Sequence, residues 1–233
     1  MQSITCYPEL PHPNAGIWRH AALSGCQVTD KLSLEAPAFA WVDCTWRQPI
    51  EALEGRRAVN GSCRDISKET LERVYFDVTG VCSFVDPESW PVVYEKANEN
   101  ARKDGRVLVL PQAPEPGRVY QQYLVGEEYR VWVMGAMLPA ALCRNKAVRP
   151  GEIFSAPEIA GVVTTLRRMG ADYAEVDIIR ERSSGELFLI DVNITPWFGA
   201  ARAPSLDHAL VLSWCRMAFE ALLANQGAGN SEL

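Results

Sequence analysis

Two apolar runs, DYAEVDIIRE at 172–181 and ELFLIDVN at 186–193, flank the polar turn Arg182-Ser183-Ser184-Gly185, and both carry acids among β-branched neighbours. Such runs around a glycine-containing turn specify an antiparallel hairpin. Side chains alternate between the faces of a strand, so Asp191 and Asn193 project together while Val192 and Ile194 point the other way. A three-residue loop, Ser183-Ser184-Gly185 with the glycine left-handed, sets Asp177 opposite Asp191 and Glu175 opposite Asn193. A two-residue loop pairs Asp177 with Val192 and scatters the acids. Unpaired carboxylates within VDII and LFLID are costly, whereas hard cations such as Mg²⁺ take clustered carboxylate and amide oxygens. Asp177, Asp191 and Asn193 are therefore the expected metal ligands. The alternative is that Asp191 and Asn193 shape the turn before Pro196 and that Asp177 is solvated.

The 233 residues, 48% hydrophobic, suffice for one large domain, or one domain with a small companion. A formal charge of -6 disfavours nucleic acid and anionic membranes as partners. Seven cysteines form no CxxC pair, and the odd count suits reduced thiols in the cytoplasm better than a disulfide framework. MQSITCYPELPHP has no basic segment followed by an apolar one, and no window reaches the length of a membrane span.

Along the chain, AFAWVD (38–43) reads as a strand and SKETLERVYFDVTG (67–80) as a helix, capped by Ser67 and stopped by Gly80. Strand patterns follow in PVVYEK, GRVLVLPQ, VYQQYLV and EEYRVWVMGAMLPAAL, the last with a hairpin centre at Gly135-Ala136. Helical spacing covers 156–170, closed by Gly170, and 205–224. Strand runs interrupted by single helices predict an α+β architecture with a largely antiparallel sheet.

The acid on one strand and DVNITP on the next resemble the ATP-grasp superfamily, which includes D-alanine:D-alanine ligase and glutathione synthetase. The resemblance implies that Asp177, Asp191 and Asn193 hold magnesium on ATP. VYQQYLVGEEYRVWVMG is similar to that family's linker between lobes: Gln122, Tyr123 and Leu124 would meet the adenine edge, Glu128 the ribose hydroxyls, and Arg130 the phosphates. PVVYEKANENARKDGRVLV and ISKETLERVYFDVTGVCSFVDP resemble the strand, loop and helix that supply phosphate lysines, here Lys96 and Lys68. The implied fold is ATP-grasp: two α+β lobes with antiparallel sheets clamp a nucleotide behind a small N-terminal α/β region. Its implied division is 1–86 for the N-terminal region, 87–124 for the first lobe and 125–233 for the second.

The sequence departs from the family's pattern: the stretch between Lys68 and Lys96 is shorter than in the familiar ligases, and the N-terminal region is smaller than the usual substrate-binding domain. The phosphate-covering loop is reduced to ANENARKDG, and Glu175 stands where D-alanine:D-alanine ligase has an arginine, leaving Arg144 or Arg149 to neutralise the transferred phosphate or an anionic substrate. Arg202, just past the metal motif, is the candidate for a substrate carboxylate. Taken alone, an Arg130–Glu128 surface pair explains Arg130 equally well, and His20 reads as structural more readily than as a base. No cysteine has a recognisable His/Asp partner. The expected activity is an ATP- and Mg²⁺-dependent carboxylate–amine ligase acting on small molecules through an acyl phosphate, homodimerisation being left open. The alternatives are a kinase on the same fold and an inactive nucleotide-binding module.

Overall fold

The computed structural model describes residues 2–33, 35–100, 102–109, 113–197 and 206–227. The N-terminal part forms a parallel sheet from β1 (Gln2–Pro8), β2 (Cys26–Thr29), β3 (Ala38–Trp41) and β4 (Ala58–Val59), with α1 (Gly16–Leu23) crossing between the first two. Its order is β2-β1-β3-β4. Only β3 of these strands is expected from the sequence. All four of its residues are buried, as are the middle three of β1, so neither strand shows alternation.

The helix α2 (Lys68–Thr79) begins where Ser67 accepts a hydrogen bond from the Thr70 amide and stops at the left-handed Gly80. A three-stranded antiparallel sheet follows, built from β5 (Val92–Ala97), β6 (Arg106–Val109) and β7 (Arg118–Gln122) in the order β6-β5-β7. Buried Glu95 of β5 is clasped by Arg106 and Arg118.

The remaining strands are β8 (Gly126–Met134), β9 (Met137–Cys143), β10 (Lys146–Val148), β11 (Tyr173–Glu181) and β12 (Leu187–Asn193). They form an antiparallel sheet in the order β10-β9-β8-β11-β12. Between β10 and β11 lie α3 (Pro150–Ile153) and α4 (Ala156–Arg168), and α5 (Leu206–Gly227) follows the sheet. A reciprocal capping box between Ser155 and Glu158 starts α4.

Period-two alternation gives the five-stranded sheet two different faces. Val131, Val133, Val176, Ile178, Leu189 and Val192 pack on α2 and α4, burying apolar side chains worth about 1.5–3 kcal/mol each. On the other face Trp132, Met134 and Tyr173 pack against α1, α5 and the parallel sheet. Farther along that second face the apolar cover ends, and charged residues line an open cleft.

Among the described residues all seven cysteines are free, and no helix is long and apolar enough to cross a membrane.

Candidate nucleotide and metal site

Asp177 and Asp191 lie directly opposite each other, as do Glu175 and Asn193. The expected register holds at the site, but the expected turn does not. Glu181 pairs with Glu186 around a four-residue turn, 182–185, with Gly185 left-handed. That turn pairs Ile178 with Leu189, and an irregularity follows at Asp177/Ile178. Ile190 is the extra residue of a β-bulge, which returns Asp191 to Asp177. The Ile190 carbonyl accepts a hydrogen bond from Lys96 Nζ at 2.7 Å.

A cleft of about 610 Å³ opens over this pair, lined by Lys68, Lys96, Arg130, Asp177, Asp191 and Asn193. Lys96 reaches it from β5. Lys68, the first residue of α2, donates to the Glu99 carbonyl and stands 3.9 Å from Asp191. A lysine there opposes the positive end of the helix dipole. The neighbouring cleft, about 550 Å³, shares Arg130, Glu175, Asp177, Ile190 and Trp197 and adds Glu128, Arg144 and His208.

Burial outweighs pairing for these charges. It lowers Lys96 to about 8, against the attraction of Asp191. It lowers Lys68 and raises Asp191, although each opposes the other's shift. Glu175 is pushed up to about 8 by burial, opposed by Arg130. Such a cluster, held at a cost in desolvation, is characteristic of a site completed by a ligand.

Arg130 sits opposite Asp177, and its Nε lies 3.1 Å from both Asp177 and Glu175. The surface-pair alternative with Glu128 is corrected: the guanidinium faces β11. Asn193 Oδ1 accepts from the Thr195 amide at 2.9 Å and hydroxyl at 3.1 Å. It therefore shapes the turn before Pro196 while still lining the cleft.

Among the described residues no group of three His, Cys, Asp or Glu forms a ready-made cation cage. The donors present are two opposed carboxylates and an amide, and Glu175 Oε2 is buried without a hydrogen-bond partner. This all-oxygen set fits a magnesium ion that arrives with its own phosphate and water oxygens.

No family model and no curated protein matches the chain by sequence. Solved structures do match. The ATP-grasp ligase PsnB, complexed with a precursor peptide and AMPPNP, has a TM-score of 0.61 at 14% identity, covering 96% of both chains. The macrocyclase MdnC from Microcystis aeruginosa has a TM-score of 0.55 at 10% identity, over 97% of this chain and 100% of that one. D-alanine–D-alanine ligase from Bacillus anthracis, complexed with ATP, has a TM-score of 0.54 at 11% identity, over 97% of this chain and 98% of that one.

This chain has the ATP-grasp fold.

In three further PsnB structures the match spans 58 to 60% of that chain. Within the ATP-grasp frame the remaining expected residues are distributed as follows. Gln122 ends β7, and Tyr123 and Leu124 lead on to β8; the Gln122 amide donates to the Ser83 carbonyl, and the Val125 carbonyl accepts from the Arg182 amide. Gln122 and Tyr123 border a separate hollow with Trp90 and Phe188. Glu128 is exposed in the second cleft, on the same face as Arg130. Arg144, in the β9–β10 turn, lies 3.7 Å from Glu127 and lines that cleft too. Arg149 stacks on Trp214 of α5, 4.0 Å from the ring centroid. Arg202 falls outside the described residues. His20 is fully buried beside Tyr173, with Nδ1 2.9 Å from the hydroxyl, and burial lowers it to about 3, so its place is structural.

Sequence reasoning missed Asp43, Asn100 and Trp197. Asp43, just beyond β3, lines the first cleft and accepts from the Thr195 hydroxyl at 2.9 Å. Its position past the carboxyl end of a parallel strand is the signal that could have found it. Asn100 donates to the Val192 carbonyl at 2.8 Å, fastening the shortened loop over the hairpin. Trp197 borders both clefts and stacks on His12, with centroids 4.5 Å apart. Nothing around His12 in the sequence signals that contact.

Proposed function

We propose that the protein is an ATP- and Mg²⁺-dependent carboxylate–amine ligase. The observation that carries this reading is the facing of Asp177 and Asp191 in the cleft that also holds Lys68 and Lys96. Carboxylates for a divalent ion, set beside cations for phosphates, match what a metal–polyphosphate demands.

In this reading Asp177, Asp191 and Asn193 hold magnesium, which neutralises charge on the phosphates when bound. Lys68 and Lys96 meet phosphate oxygens. Gln122, Tyr123 and Leu124 border the base, and Glu128 takes the ribose. Arg130 faces the transferred phosphoryl group, with Arg144 beside it; Arg149 and Arg202 remain the proposed contacts to substrate. A substrate carboxylate attacks the γ-phosphorus, ADP leaves, and an amine then displaces phosphate from the acyl carbon, losing a proton as the amide forms. Such transfer relies on alignment and charge stabilisation rather than a protein nucleophile. That agrees with burial pushing up the thiols of Cys6, Cys63 and Cys215.

A small-molecule carboxylate and amine are the first substrate reading. A peptide-borne carboxylate is the second, favoured because PsnB and MdnC are solved with precursor peptides. A cytoplasmic location and a homodimer belong to the same proposal; the exposed Leu210 and Met217 of α5 suit a dimer contact.

Thermal unfolding with Mg-ATP against Mg²⁺ alone tests the reading. Ligand at about 100 times its Kd adds roughly 2.7 kcal/mol to stability. Asp191→Ala removes that gain. The absence of any gain in the unaltered protein overturns the assignment. Release of ADP and phosphate with an amide product separates a ligase from a kinase.

A further inference from the structure

Arg130 is shared by two carboxylates of unequal character. Its Nε is 3.1 Å from Glu175 Oε1 and 3.1 Å from Asp177 Oδ1, and its Nη2 lies 3.5 Å from Asp177 Oδ2. The Glu175 side chain is 8% exposed, against 36% for Asp177 and 51% for Arg130. Glu175 is fixed at the floor of the sheet, opposite Trp132 and Asn193. Asp177 stands at the edge of the open cleft, opposite Asp191. Each Asp177 oxygen that faces Arg130 has one lone pair fewer, and less negative charge, to offer a metal ion.

Resting on the ligase reading, we propose that Glu175 is a positioning residue that retains Arg130 when Asp177 turns to the nucleotide-bound cation. The Nε–H, which donates to Asp177 here, turns to the buried Glu175 carboxyl oxygen 3.1 Å away, the two terminal nitrogens are freed toward the clefts that Arg130 borders, and Asp177 is the exchangeable partner. Without Glu175, releasing Asp177 leaves the guanidinium with no carboxylate on β11. A charge-assisted hydrogen bond must then be given up for each metal ion bound.

The test uses the full chain, AMPPNP as the probe, and Mg²⁺ titrated while nucleotide binding is followed by calorimetry, so it needs no knowledge of the substrate. Glu175→Leu, which removes the acceptor, raises the Mg²⁺ concentration for half-maximal binding about tenfold, the factor one charge-assisted hydrogen bond commands. In an Arg130→Ala background the same substitution has less than about a threefold effect, because the partner it serves is gone. Thermal unfolding of each variant without ligand confirms that folded protein is compared, and Glu175→Ala serves as the replacement if Glu175→Leu fails to fold. An undiminished effect in the Arg130→Ala background means that Glu175 acts on the cation directly and overturns the inference, as does no effect in either background. Absence of Mg²⁺-dependent binding by the unaltered protein overturns the ligase reading and this inference together. Normal binding there with an unresponsive Glu175→Leu overturns the inference alone.

Discussion

Asp177 faces Asp191 across β11 and β12 only because the hairpin is irregular. The four-residue turn at 182–185 starts the ladder in a register that would place Ile190 opposite Asp177. The bulge at Ile190 adds one residue to β12 and restores the acid pair, and Lys96 of β5 in the three-stranded sheet donates to the Ile190 carbonyl. One backbone irregularity therefore sets both the acid pair and the acceptor of the buried lysine.

Lys96→Met separates stability from binding. The ammonium is buried and lowered to about 8, so the fold holds its charge at a desolvation cost. Removing it changes stability without ligand by less than about 1 kcal/mol, since the lost hydrogen bond offsets the relieved desolvation. Mg-ATP affinity falls at least about tenfold. Chemical denaturation and calorimetry on the same preparation read the two effects.

His20→Gln flattens the acid limb of stability. Folded His20 takes a proton only near about 3, because burial disfavours the charged ring, whereas the unfolded residue takes one near its ordinary value of 6.5. Between those values the unfolded chain binds more protons, so stability is present above 6.5 and is lost as pH falls toward 3. The slope approaches about 1.4 kcal/mol per pH unit. Denaturation midpoints at pH 7, 6 and 5 decline less in the variant.

Gly126→Ala destabilises the start of β8. A methyl there would overlap the Arg180 carbonyl oxygen, a backbone atom that moves only with its strand. The overpacking costs about 1–3 kcal/mol in urea denaturation. It also disturbs the neighbouring Val125–Arg182 link at the connection between β7 and β8, so Mg-ATP affinity declines with stability.

Ser67→Ala removes the cap of α2 and costs about 1 kcal/mol. Lys68 follows immediately and bonds the Glu99 carbonyl, so fraying at this end also loosens a cleft lysine. The variant shows both lower stability and faster amide exchange at the first turn of α2.

The sequence by itself determined the local periodicities. Alternation put Asp191 and Asn193 on one face and Val192 and Ile194 on the other, and Ser67, Gly80, Gly135 and Gly170 marked helix and hairpin ends where they stand. These signals are legible because they depend on neighbours within a few residues. Tertiary structure decided the rest. Arg130 finds Glu175 and Asp177 because β8 pairs with β11 over more than forty intervening residues, which no local pattern encodes. In the parallel N-terminal sheet β1 stayed hidden because burial of its middle residues erases alternation, and the sheet brings Asp43, just beyond β3, to the cleft. The bulge at Ile190 belongs with these: the turn residues suggested one loop length, and pairing within the folded sheet imposed another.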